Sequence, residues 1–177
     1  MIKKLVLWVP LGGFLIFLAV VAAGLYAPRH EAVPSNMIGQ PLPDFALQPA
    51  ITGKPGLSSA ELRMGRAHLV NVFASWCIPC RTEAAQLAEL TRRGIPVDGI
   101  AVRDREQDLA AFLSTYGDPF RAIGGDVDRR VQLSIGSAGV PETFVIDGHG
   151  IIRHQHIGEI TDADLPEIVA AYQEASR

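Results

Sequence analysis

The chain has 177 residues, 48% of them apolar, with 16 basic and 19 acidic side chains and a formal charge of −3. That length supplies the core of one globular domain rather than two. With no basic block and a mildly acidic balance, a surface built to track nucleic-acid phosphates is excluded.

From Leu5 to Ala27 no residue is charged, and about 23 helical residues at 1.5 Å each reach roughly 34 Å, enough to cross a bilayer. A cleavable signal peptide has a shorter apolar core, on the order of 7 to 15 residues, although Ala22, Ala23 and Gly24 offer small residues to a peptidase. The length favours residues 1–27 as an uncleaved transmembrane anchor. Lys3 and Lys4 precede the span and only Arg29 follows it closely, which leaves the N-terminus in the cytoplasm and sends the rest across. In a bacterium this predicts a single pass through the inner membrane with the C-terminal domain facing the periplasm, where cysteines oxidise. Residues 28–43, PRHEAVPSNMIGQPLP, hold four prolines and no apolar periodicity, and so predict an extended extracytoplasmic linker. Residues 44–177 are left as the domain.

Within the domain, His68 to Ser75 is a nearly continuous apolar and β-branched run, the pattern of a strand buried on both faces. RTEAAQLAELTRR follows, rich in helix formers and stopped by Gly94. Val97 to Val102 predicts a second strand and REQDLAAFLSTYG an amphipathic helix closed by Gly117, a crossover that favours parallel strands. ETFVID, GHG and IIRHQHIG predict an antiparallel hairpin. TDADLPEIVAAYQEA closes the chain as a helix with Thr161 or Asp162 as its cap. The order predicts an α/β fold, a central mixed sheet flanked by helices, with any site at the carboxyl ends of its central strands.

The two cysteines of the chain, Cys77 and Cys80, stand in WCIPC where the first strand becomes a helix. A thiol at a helix start is favoured as thiolate by the dipole and by unpaired N–H groups, which makes Cys77 the attacking sulfur. Cys80 is one turn further in, placed to resolve a mixed disulfide. Arg81, four residues after Cys77, leans back toward it and adds positive charge. Lowering a thiol pKa from about 8.5 to about 6.5 raises the thiolate fraction at pH 7 roughly 25-fold, while lost nucleophilicity cancels about tenfold. The helix start therefore acts mainly on redox poise and leaving-group ability. A purely structural disulfide is a weaker reading, because so short a loop removes little entropy from the unfolded chain. A metal clamp needs two more ligands, for which His154 and His156, on one face of a strand, are the candidates. Covalent haem attachment needs a histidine where Arg81 stands.

NVFASWCIPCRTE, GVPETFVIDGHGIIRHQHIGE and the anchor together resemble the membrane-anchored thioredoxin-like proteins of cytochrome c maturation, the DsbE (CcmG) type. The likeness covers the anchor, the linker and essentially the whole domain, and it implies a thioredoxin-like fold. It implies that Pro141 is a cis-proline facing the disulfide and that Val140 beside it pairs with an extended substrate segment. Asn71 stands where ordinary thioredoxins carry a buried aspartate. Glu83 and Glu142 are then the acidic groups nearest the dithiol, able to relay a proton. Trp76 shields one side of Cys77 and contacts partners.

The resemblance implies a thiol:disulfide oxidoreductase that reduces the disulfide of an apocytochrome c CxxCH motif. It works with no cofactor beyond its Cys77–Cys80 pair. Its partners are apocytochrome c or the haem-ligation machinery and a membrane-embedded thiol reductant that supplies electrons. The alternatives are a broader reductase for other extracytoplasmic thiol proteins and a metal or haem chaperone using the cysteines with His154 and His156.

Overall fold

The computed structural model describes residues 2–26 and 37–177, which fall into two compact units, Met1–Val33 and Pro34–Arg177. In the first, α1 (Ile2–Tyr26) is a single helix with Pro10 inside it. Its side chains are described at Trp8 and over residues 10–23. No helix among the described residues is long and apolar enough to cross a membrane. The expected span, Leu5 to Ala27, extends past those side chains at both ends, and Lys3, Lys4 and Arg29 lie outside them. Residues 28–36 of the expected linker are likewise outside the described residues.

The second unit opens with a short antiparallel pair, β1 (Ala46–Leu47) and β2 (Leu57–Ser58), and a 3-10 turn at Glu61–Arg63. Then follow β3 (His68–Phe73), α2 (Ile78–Thr82), α3 (Ala84–Arg92), β4 (Val97–Val102), α4 (Glu106–Tyr116), β5 (Ile123–Asp126), α5 (Arg130–Ser134), β6 (Glu142–Ile146), β7 (Ile152–Ile157) and α6 (Leu165–Ala175). Five strands form one mixed sheet in the order β5-β4-β3-β6-β7. β3 pairs parallel with β4 and antiparallel with β6, so it is central, and all six of its residues are buried.

Because strand side chains alternate in direction, β3 feeds two cores. Leu69 and Phe73 join Leu109, Phe112, Phe120 and both cysteines on one face. Val70 and Val72 join Ile100, Phe144, Ile146 and Ile152 on the other. Phe73 stacks on Phe120 with centroids 4.5 Å apart. Gly99 makes room for them, since a Cβ there would stand 2.8 Å from Phe73 and 3.1 Å from Phe120.

The structure corrects the expected elements in four places. The helix after the cysteines is interrupted at Glu83, whose side chain turns into the core. The last helix starts later than expected: its cap position is Asp164, with Pro166 in the first turn, where a missing N–H costs nothing. Thr161 instead donates its N–H and hydroxyl to the Asp164 carboxylate. β5, β1, β2 and α5 went unpredicted, and IGGD in β5 carries neither alternation nor strong strand propensity. It is a strand because the β1–β2 pair lies against it, with Gly124 so close that a Cβ would stand 2.6 Å from that of Leu47. Finally, the folded unit reaches back into the expected linker. Gly39 and Leu42 donate to Ile152 and Gly150, both at 2.8 Å, Ile152 donates to Gln40 at 3.0 Å, and Leu42 is 3% exposed.

Candidate functional site

β3 ends at Phe73, and four residues later the chain enters α2 through Cys77, which occupies the cap position in an extended conformation. Pro79 sits in the first turn, pre-set for helix and carrying no N–H to satisfy. Cys77 and Cys80 form a disulfide with Cα atoms 5.3 Å apart. The Cys80 N–H donates to Cys77 Sγ at 3.2 Å, a contact that strengthens when the sulfur is a thiolate. Both cysteines are buried, whereas Trp76 and Ile78 on either side of Cys77 are 55% and 70% exposed. An apolar rim thus surrounds a sulfur pair that is almost covered.

A second candidate stretch precedes β6. The Val140–Pro141 bond is cis, and Val140 packs against the core cluster that holds the cysteines. Among the described residues, neither the N–H nor the C=O of Val140 has a hydrogen-bonding partner. Glu142 follows and is 2% exposed. Its Oε1 accepts the N–H groups of Ala138 and Gly139 at 3.0 and 2.9 Å, and its Oε2 accepts from Gln155 at 2.6 Å. Glu142 therefore braces the loop that presents Val140 and Pro141.

Glu83 is fully buried. Its carboxylate accepts from Asn71 Nδ2 at 2.9 Å and from the Ile160 N–H at 3.0 Å. Burial pushes its pKa up to about 7 against the lowering effect of those two hydrogen bonds, and nearby Glu159 raises it further. Asn71 Nδ2 also donates to Thr143 Oγ1 at 3.0 Å, so one amide ties β3 to β6 and to the joint between α2 and α3.

Arg81 points elsewhere than expected for a charge serving Cys77 alone. Its guanidinium donates to the Ser75 carbonyl at 3.1 Å and lies 5.9 Å from the centre of the Tyr116 ring. His154 and His156 are held separately, His154 at 3.9 Å from Glu167 and His156 at 3.1 Å from the Glu159 carbonyl. Among the described residues no group of three or more His, Cys, Asp or Glu is placed to hold a metal ion. A surface cleft of about 850 Å³ between Ala67 and the end of α6 lies at the opposite end of the sheet from the cysteines.

The sequence reading missed Asp104, Thr143 and Gln155. Asp104 accepts the Ser75 N–H at 2.6 Å and also the Ser75 hydroxyl, fastening the approach to the cysteines. The signal for it was present: Phe73 is in register with Ala101 on the parallel strand, so residues just past both strand ends must meet.

The AhpC/TSA family matches this chain over residues 38–155. The thiol:disulfide interchange protein DsbE of Pseudomonas fluorescens biotype C is 38% identical over 172 residues, covering 97% of this chain and 95% of its own. A DsbE homolog of Paracoccus denitrificans is 39% identical over 167 residues, covering 92% of each. Among solved structures, a thioredoxin-family thiol:disulfide interchange protein of Chlorobium tepidum superposes with a TM-score of 0.58 at 28% identity, covering 77% of this chain and 96% of its own.

Proposed function

The chain belongs to the AhpC/TSA family and within it to the DsbE thiol:disulfide interchange proteins, and on that premise we propose that this oxidoreductase is a reductant in cytochrome c maturation. The observation that carries the reading is the Cys77–Cys80 disulfide at the start of α2, supported by the cis Val140–Pro141 bond and by Val140 packing against the cluster that holds both cysteines. The substrate is the disulfide of an apocytochrome c CxxCH motif, which must open before haem is attached.

In the reduced protein the Cys77 thiolate attacks one sulfur of the substrate disulfide. That bond breaks, a mixed disulfide forms, and the second substrate sulfur leaves as a thiolate. Cys80 then attacks Cys77 Sγ, releasing the first substrate sulfur and leaving Cys77–Cys80 oxidised, so two electrons pass to the substrate. The unpaired backbone of Val140 holds the substrate by strand addition, and Trp76 covers it. Glu83, half-ionised near neutrality, takes the proton that Cys80 must lose. Glu142 acts through the loop that it braces.

A membrane-embedded thiol reductant returns the pair to the dithiol state. Residues 1–27 anchor the chain in the bacterial inner membrane, with residues 28–38 as linker up to the segment that folds onto the domain, and the domain in the periplasm. The length and uncharged character of Leu5 to Ala27 support this.

Cys80→Ser tests the proposal, because it stops the reaction at the mixed disulfide. Expressed in cells, the variant should trap CxxCH-containing apocytochromes through Cys77. Trapping of unrelated thiol proteins alone would support the broader reductase instead. A reduction potential near −120 mV, that of a strong oxidant, would reverse the direction.

A further inference from the structure

Beside Trp76 lies a groove of about 620 Å³ between the cysteine motif, the loop after β4 and one face of α4. Disulfide exchange alone does not require it. Phe112 and Tyr116 are among the residues that line it, together with three guanidinium groups, Arg81, Arg103 and Arg105, and two carboxylates, Asp104 and Asp108. Four of the five charged groups are already engaged. Arg81 holds the Ser75 carbonyl and covers Tyr116. Arg105 is paired with Asp108 at 2.6 Å, and Asp104 is taken up by Ser75. Arg103 remains: among the described residues its side chain has no hydrogen bond or ion pair. In a chain of formal charge −3, this groove carries a net positive charge, and Arg103 is its source.

The backbone that carries Arg103 is also held in place. Its φ is +49°, in the left-handed region that a non-glycine residue enters only at a cost. Its N–H is tied to the Asp126 carbonyl at 3.3 Å. Its neighbour Asp104 is bonded to Ser75, two residues before Cys77. The groove wall at Trp76 is one residue from Cys77, about 3.8 Å along the chain, so a polypeptide docked on the sulfur lays its flanking residues there.

We propose that this groove receives the segment flanking the substrate's disulfide and that Arg103 selects partners carrying a carboxylate within a few residues of the attacked cysteine. Resting on the reductase reading above, this names the chemistry of the substrate that the reductase prefers. The aromatic floor takes the apolar part of the segment and the unpaired guanidinium attracts the acid by its charge.

The test uses the reduced full-length protein and oxidised CxxC peptides in which each of three positions on either side of the cysteines is Glu or Gln in turn. The second-order exchange rate is measured for each. At one or more positions the Glu peptide should react about threefold faster at low salt, the effect of one pair of unit charges some 6 Å apart in water, and the advantage should fade as salt is added. Arg103→Gln should bring the Glu-to-Gln ratio to one, Arg103→Glu should invert it, and Arg103→Lys should keep most of it. A wild-type ratio of one at every position, or a ratio that Arg103→Glu leaves unchanged, overturns the proposal. The Gln peptides separate the two readings: if none of them is reduced, the reductase assignment itself fails.

Discussion

At the scale of single residues, the two buried acids Glu83 and Glu142 do different work. Glu83 ionises in water near 4.5 but in the folded protein near 7, so between those values the native state holds a proton that the unfolded chain has lost. Its contribution to stability is fully present below about pH 4.5 and is lost as pH rises through 7, about 3 kcal/mol in all. Thermal melts of Glu83→Gln should therefore show a flatter decline from pH 5 to pH 8 than the wild type, and an unchanged slope would mean that Glu83 is not the group responsible. The same variant should also weaken the rise in exchange rate near pH 7 if Glu83 accepts the Cys80 proton. Glu142 satisfies three donors instead, two of them backbone N–H groups of the loop before Pro141. Glu142→Ala should cost about 2 kcal/mol in urea melts and speed amide exchange at Ala138 and Gly139. The likeness of RTE and GVPET to a known pattern singled out both residues. Their difference was not legible there, because burial and the hydrogen bonds from Asn71, Ile160 and Gln155 come from other elements that the fold brings together.

Elements show where local pattern suffices. β3, β4, α4 and the β6–β7 hairpin were legible because each carries its own periodicity and stop signals, as in Gly117 after α4. β5 was not, since Gly124 and Gly125 have no side chain to alternate and the strand exists only against β4 and Leu47. The cap of α6 was misread because Thr161 and Asp162 both satisfy the composition rule, and only the position of Pro166 and the Thr161–Asp164 contact decide between starts. Gly99 was likewise silent in sequence, yet Gly99→Ala should overpack Phe73 and Phe120 and destabilise by about 1–3 kcal/mol in denaturant melts. Residues 39–42 pair with the β6–β7 turn. A chain beginning at Asp44 should therefore be less stable than one beginning at Pro34 by about 3 kcal/mol, from the burial of Leu42 and the lost backbone bonds. Equal denaturation midpoints would return those residues to the linker.

For the whole molecule, the anchoring proposal predicts that the full chain stays with bacterial membranes through an alkaline carbonate wash, while a chain whose residues 1–33 are replaced by a cleavable signal peptide is released from the periplasm in soluble form. Release of the full chain by carbonate would sink the anchor. The sequence by itself determined the chemistry: a CxxC where a buried strand turns into a helix, and an α/β order that puts this junction at the carboxyl end of a central strand. These features are local, written in periodicity, helix-start residues and spacing within a few positions. Only the tertiary structure decided what surrounds the sulfurs. It made the Val140–Pro141 bond cis, packed Val140 against the cluster that holds both cysteines, buried Glu83 against Asn71, and set Arg103 and Trp76 in the lining of one groove. Such neighbours depend on strand order and register, because which residues lose water together is a property of the packed sheet and of no segment taken alone.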